Sequence, residues 1–171
     1  MIKVCATGDI ATEVTDWKIA QFTLEELQAA VDEAKRSGRM VAAHAEGLAG
    51  IRTAVDAGVD TIEHGSWLDE EVCRKMADQG TFLIPTVRVM QEFALRGADM
   101  GHPEWRVRKG KEVYQAQQRT FNLALKHNLR VAMGTDSSSV LTTCRQGVLE
   151  LESMVMAGLS NMQAKIGRAH V

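Results

Sequence analysis

Lys3, His44, His64 and Asp136 each stand in or just beyond a short apolar run: IKVCA, MVAA, the Val59–Ile62 stretch of GVDTIEHG, and LRVAM followed by GTD. Neutral imidazole and carboxylate are ligands for a divalent metal such as zinc, so two histidines and an aspartate brought together could hold one. The lysine adds an amine, which could instead form a Schiff base with a carbonyl substrate and need no metal. Taken singly, each residue has an ordinary role. A histidine at a strand end is commonly a hydrogen-bonded polar group. Asp136 could cap a turn with Ser137–Ser139, and Lys3 could be a strand-edge charge. The set means more than its members only if one fold puts all four in the same layer.

The pattern of short apolar runs alternating with helical stretches defines that layer. The first run is Ile2–Ala6. Thr23 and Glu26 form a capping box for a helix with Leu24, Leu27 and Val31 at helical spacing, ended by Ser37–Gly38. Met40–Ala43 leads to His44, and a helix from about Leu48 to Ala57 closes at Gly58. The next short run leads to His64, after which Asp69 caps a helix to Gln79 with Gly80 as its stop. Thr81–Ile84 ends at Pro85, Val87–Pro103 reads as the longest loop, and a helical pattern follows from about Glu104 to His127. Leu129–Met133 ends at Gly134, a helix covers roughly Gln146–Met156, and Ser160 caps one more helix that barely starts.

These are about five β-α units, which implies a parallel sheet with right-handed crossovers. The runs are apolar enough that both faces of the sheet are expected to be covered. An open doubly wound sheet and part of a (β/α)8 barrel both fit. ATGDI, after the first run, is neither GxGxxG nor a P-loop, which counts against the nucleotide-binding form of the open sheet. In such folds chemistry gathers at the C-terminal ends of the strands, the layer that holds Lys3, His44, His64 and Asp136. His102, in GHPEW, reads as loop, and His127 as a favourable charge at a helix C-terminus.

With 171 residues, 45% hydrophobic and 25% charged, the chain has the make-up of folded material. A net charge of −2 and a pI near 6.2 give no reason to expect nucleic acid or an anionic membrane as partner. Neither a membrane-length apolar run nor a signal peptide is visible in the sequence. Cys5, Cys73 and Cys144 are odd in number and widely spaced, which suits reduced thiols and a cytoplasmic location.

IKVCATG, VAAHAEG, GIRTAVDAGVDTIEHG, FLIPT and VAMGTDSS, in this order and at these spacings, resemble the amidohydrolase superfamily over nearly the whole chain. The branch it is most similar to holds prolidase-like and imidazolonepropionase-like metal hydrolases. The resemblance implies a (β/α)8 TIM barrel of which residues 1–164 supply strands four to eight, so that the barrel is not closed. It implies that Lys3 takes up carbon dioxide and, as a carboxylate, bridges two divalent metals, expected to be zinc. His44 and His64 would bind the second metal, and Asp136 would bind the first and accept a proton. The implied reaction is hydrolysis of an amide, peptide or cyclic amide C–N bond in a small molecule by a metal-activated hydroxide. Burial would favour the neutral lysine amine that carbon dioxide requires. Glu46 and Glu63 flank the two histidines and are candidates to orient them. Strand alternation nevertheless points Glu63 away from His64, toward a contact between units.

The sequence departs from the family pattern in three places. No His-x-His occurs, so the first-strand ligands and the N-terminal barrel half are expected to lie elsewhere, and the chain alone is expected to be inactive. Asp9 stands where close relatives often carry a glycine. Ile166–Val171 matches one translated frame of a common sequencing adapter, so residues 165–171 are expected to be a non-native tail and His170 is set aside. Arg88, after Pro85–Thr86, could bind a substrate carboxylate, though an exposed loop arginine is the more ordinary role. Trp67 could wall the pocket or simply pack. A metal-free barrel enzyme using Lys3, or a non-catalytic α/β domain with structural histidines, remain the rival readings.

Overall fold

In the computed structural model, which describes residues 1–137 and 147–169, strands and helices alternate along the chain. β1 (Ile2–Cys5) is followed by α1 (Leu24–Arg36), β2 (Val41–Ala45) by α2 (Leu48–Ala57), and β3 (Thr61–His64) by α3 (Glu70–Gln79). β4 (Phe82–Ile84) leads into two helices, α4 (Val87–Arg96) and α5 (Glu104–Lys126). β5 (Arg130–Val131) precedes α6 (Gly147–Met156) and α7 (Asn161–Ala169). No described helix is long and apolar enough to cross a membrane.

The five strands are parallel and pair strictly in chain order. A doubly wound sheet reverses its strand order part-way, and this sheet does not. Successive right-handed crossovers in one direction put the helices on one face, which is the winding of a barrel. Val41, Ala43, Ala45, Ile62 and Leu83 pack there with Leu27, Val31, Ile51, Val55, Val72 and Met76 from α1, α2 and α3. β1 and β5 each pair on one side only among the described residues. The architecture is part of a TIM barrel, unclosed.

Local signals explain most element ends. Thr23 accepts from the Glu26 amide and Glu26 reaches back to the Thr23 amide, the capping box read from the sequence. Asp69 caps α3 through the Val72 amide at 2.8 Å.

Three expectations need correction. Val87–Pro103 is not a loop: Val87–Arg96 forms α4, because Val87, Val89, Met90, Phe93 and Ala94 fall on one side of a helix and are buried. The breakers Gly97–Pro103 confine the connection to the turn between α4 and α5. The sheet is not apolar on both faces either. The face turned away from α1–α3 carries Lys3, Cys5, His44, Thr61 and Glu63, by the strand register. The last helix does more than start. Ser160 and Gln163 cap one another and α7 runs to Ala169. Cys5 is exposed and Cys73 is a buried thiol that burial pushes up to about 11, whereas Cys144 lies outside the described residues.

Candidate metal centre

Register places His44 beside Glu63 across the sheet and Ala45 beside His64. Plain alternation would send the His64 ring to the helix side with Ile62. His64 instead has φ 70°, and the turn brings its ring to 4.6 Å from that of His44, edge to face. Gly65 follows, also left-handed at φ 57°, and a Cβ there would stand 2.4 Å from Leu83 Cδ1. The HG pair in the sequence is therefore a device that swings an imidazole into the strand-end layer.

Two more residues of this layer have left-handed backbones, Thr86 at φ 47° and Asp136 at φ 47°. Of the four described non-glycine residues with positive φ, only Asn128 lies away from this layer. Each such conformation costs on the order of 1–3 kcal/mol, and strain of that kind collects where function fixes a side chain. Gly134, two residues before Asp136, lies so close to β4 that a Cβ would stand 2.3 Å from Ile84 Cγ2.

The hydrogen bonds assign the imidazole nitrogens. His44 Nε2 lies 3.3 Å from the Gly8 carbonyl, which can only accept, so Nε2 carries the proton and Nδ1 the lone pair. His64 Nδ1 lies 2.7 Å from Thr86 Oγ1, which leaves Nε2 for a ligand. Burial holds both rings below the usual histidine range, His64 well below it, which favours the neutral form of each. Glu46 is fully buried at the end of β2; its Oε2 accepts from Ser66 Oγ and its Oε1 has no partner. Burial pushes its carboxyl up to about 7, against the Ser66 bond, which favours the anion.

One ligand atom from each of His44, Glu46 and His64 falls within 4.8 Å of the others. Two neutral imidazoles and a buried carboxyl oxygen without a partner are a donor set that suits a divalent cation. Lys3, His44, Glu46, His64, Asp136 and Arg106 line one cavity of about 300 Å³. The structure thus brings all four sequence candidates to one cavity and adds Glu46 to the histidine pair. Lys3 lies 3.7 Å from Glu63, with its side chain 49% exposed on the edge strand. Glu63 accepts from Thr61 Oγ1 at 2.6 Å and joins β3 to β1, the contact between units expected from alternation.

The loop after Lys3 is built on Asp9. Its Oδ1 accepts from the amides of Ala11 and Thr12 at 2.8 and 3.0 Å, and Lys109 of α5 donates to the Thr12 and Thr15 carbonyls. Trp17 and Trp67 stack at 3.8 Å and tie this loop to the one after β3, so Trp67 packs and is not part of the cavity wall.

The amidohydrolase family pattern matches residues 1–165. The chain belongs to that family. Ochratoxinase of Aspergillus niger is 32% identical over 170 residues, which is 99% of this chain and 35% of the relative. The crystal structure of that ochratoxinase superposes with a TM-score of 0.83, covering 95% of this chain and 36% of the other. A Xaa-Pro dipeptidase with bound methionine in its active site gives 0.84 at 33% identity, covering 95% and 40%. A prolidase complexed with N-methylphosphonate-L-proline gives 0.81 at 27% identity, again over 95% and 40%. The chain therefore spans about a third of the length of the curated amidohydrolase it matches.

Arg88 is not brought into the cavity. It sits on the first turn of α4, paired with the buried Glu92 and 3.4 Å from Gln91 Oε1. His102 packs edge to face on Phe93 at 5.4 Å, and His127 is the C-cap residue of α5. Thr86, Ser66, Arg106 and Glu150 were not singled out from the sequence. Thr86 spends its hydroxyl on His64 and gives α4 no side-chain cap. Glu150 of α6, fully buried, replaces that cap by accepting from the Val87 and Arg88 amides at 2.8 and 2.7 Å. A buried acid inside the apolar start of α6 was the one legible hint of it.

Proposed function

We propose that this chain supplies most of the site of a metal-dependent hydrolase that cleaves the C–N bond of small amide or dipeptide substrates. The observation that carries the reading is the convergence of His44, His64 and Glu46 on one point, within a cavity also lined by Lys3 and Asp136. Zinc suits the donors, and a cation bound there would polarise the scissile carbonyl and acidify water. His44 Nδ1 and His64 Nε2 offer the lone pairs, kept available by the Gly8 carbonyl and Thr86. The Asp136 carboxylate takes a proton from the attacking water and returns it to the leaving amine nitrogen.

Lys3 is the proposed site of carboxylation by carbon dioxide. Closing the barrel would cover the edge strand on which Lys3 stands half exposed. The carbamate would also end the pairing with Glu63, since two anions cannot occupy that contact. The further ligands that the family's His-x-His provides would come from an N-terminal barrel half, since this chain spans about a third of its curated relative, so activity is assigned to the complete protein. Reduced thiols at Cys5 and Cys73 support a cytoplasmic setting.

The names of the relatives set the first assay: Xaa-Pro dipeptides with the zinc-loaded complete protein. Hydrolysis abolished by a chelator, restored by zinc, and reduced on the order of 10³-fold or more in kcat by Asp136→Asn is the expected result. Turnover that survives chelation and is trapped by borohydride on Lys3 would establish Schiff-base chemistry in its place.

A further inference from the structure

Thr86 occupies the N-cap of α4, where a threonine ordinarily has extended backbone and turns its hydroxyl to accept from the amides two and three residues on. Here it makes no such bond. Its backbone is left-handed, an outlier for a β-branched residue, and its Oγ1 lies beside His64 Nδ1 instead. Capping α4 and holding His64 need different backbones at Thr86, so the two roles compete. Glu150 removes the competition. Its Oε1 accepts from the Val87 amide at 2.8 Å and its Oε2 from the Arg88 amide at 2.7 Å, and the Arg88 amide is one that a capping Thr86 would take. Gln117 of α5 donates from Nε2 to the Pro85 carbonyl at 2.8 Å. The peptide groups before and after Thr86 are therefore each pinned by a buried side chain, one from α5 and one from α6. Ser153 also joins α6 to α4, donating to Gln91 Oε1 at 2.9 Å, but it touches neither of those peptides.

Resting on the hydrolase reading of this site, we propose that Glu150 is a positioning residue for the metal centre: by taking the first amides of α4 it keeps Thr86 in the left-handed backbone that holds His64. The line of action runs from α6 through α4 to the end of β3, and Glu150 itself touches neither metal nor substrate. Without it, Thr86 relaxes to an extended backbone, caps α4 with its own hydroxyl and withdraws from Nδ1. His64 then loses the bond that sets its tautomer, and Nε2 is no longer reserved for a ligand.

Ring-nitrogen NMR spectra of the metal-free complete protein read which nitrogen of His64 carries the proton, and a competitive zinc titration reads the effect on the centre. Wild type is expected to show the Nδ1–H tautomer. Glu150→Gln keeps the size but offers one acceptor oxygen in place of two. It is expected to mix the two tautomers and to weaken zinc about 10-fold, and to cause no further loss when added to Thr86→Val. Ser153→Ala, which loosens α6 on α4 without touching the cap, should lower the thermal midpoint and leave both readouts at wild type. An unchanged tautomer in Glu150→Gln, a zinc loss that adds in full to that of Thr86→Val, or the same change in Ser153→Ala would each overturn the assignment. Dipeptide turnover of the zinc-loaded wild type separates the two claims: mixed tautomers in Glu150→Gln without any wild-type turnover would uphold the positioning role and remove the hydrolase.

Discussion

Thr86 Oγ1 stands 2.7 Å from His64 Nδ1 on a strained backbone, and by accepting the Nδ1 proton it leaves Nε2 as the nitrogen His64 can offer. Thr86→Val keeps the shape and removes the bond. Zinc affinity of the complete protein is expected to fall about 10- to 100-fold with little change in thermal midpoint, while Thr86→Ser stays near wild type. A competitive zinc titration that placed Thr86→Val within about twofold of wild type would remove the orienting role. That the histidines, Asp136 and Lys3 would share the strand-end layer was legible in the sequence, because that placement follows from element order alone. Thr86 was not, since its contact exists only through two left-handed residues, and periodicity does not encode φ. Arg88 and Arg106 show the same limit: Arg88 in the first turn of α4 is paired with Glu92, whereas Arg106 in the first turn of α5 lines the cavity.

Among the elements, α4 is the one the sequence concealed, and it is also held in the least ordinary way. Its apolar spacing was present, but Pro85 before it and Gly97–Pro103 after it mimic a loop. Its N-terminus is capped by Glu150 from another helix, and burial pushes that carboxyl from the ordinary 4.5 up to about 7. The folded state thus holds a proton that the unfolded chain releases above about 4.5. Stability is therefore lost as pH rises from 4.5 through 7, by on the order of 3 kcal/mol for this group. Urea midpoints at pH 5 and pH 8 should show this loss in wild type and a shallower one in Glu150→Gln. Parallel pH slopes for the two proteins would mean that Glu150 stays ionised throughout, held by the two amides and Arg88.

At the scale of the molecule, chain-order pairing of five parallel strands made the barrel readable, since alternating β and α elements with right-handed crossovers permit few alternatives. Among the described residues β1 and β5 each present one unpaired edge, and such edges recruit other strands. Sedimentation of this chain alone should show concentration-dependent association, relieved when the N-terminal barrel half is co-expressed. A monodisperse, cooperatively unfolding monomer at high concentration would mean that the open sheet is self-sufficient. Both the site and the barrel lead to the same decisive quantity, the metal content of the complete protein by mass spectrometry, before and after His64→Ala. About two divalent ions per chain, with loss of at least one in the variant, are expected. No stoichiometric metal after reconstitution with zinc would contradict the metal centre and leave His44, Glu46 and His64 as a structural cluster.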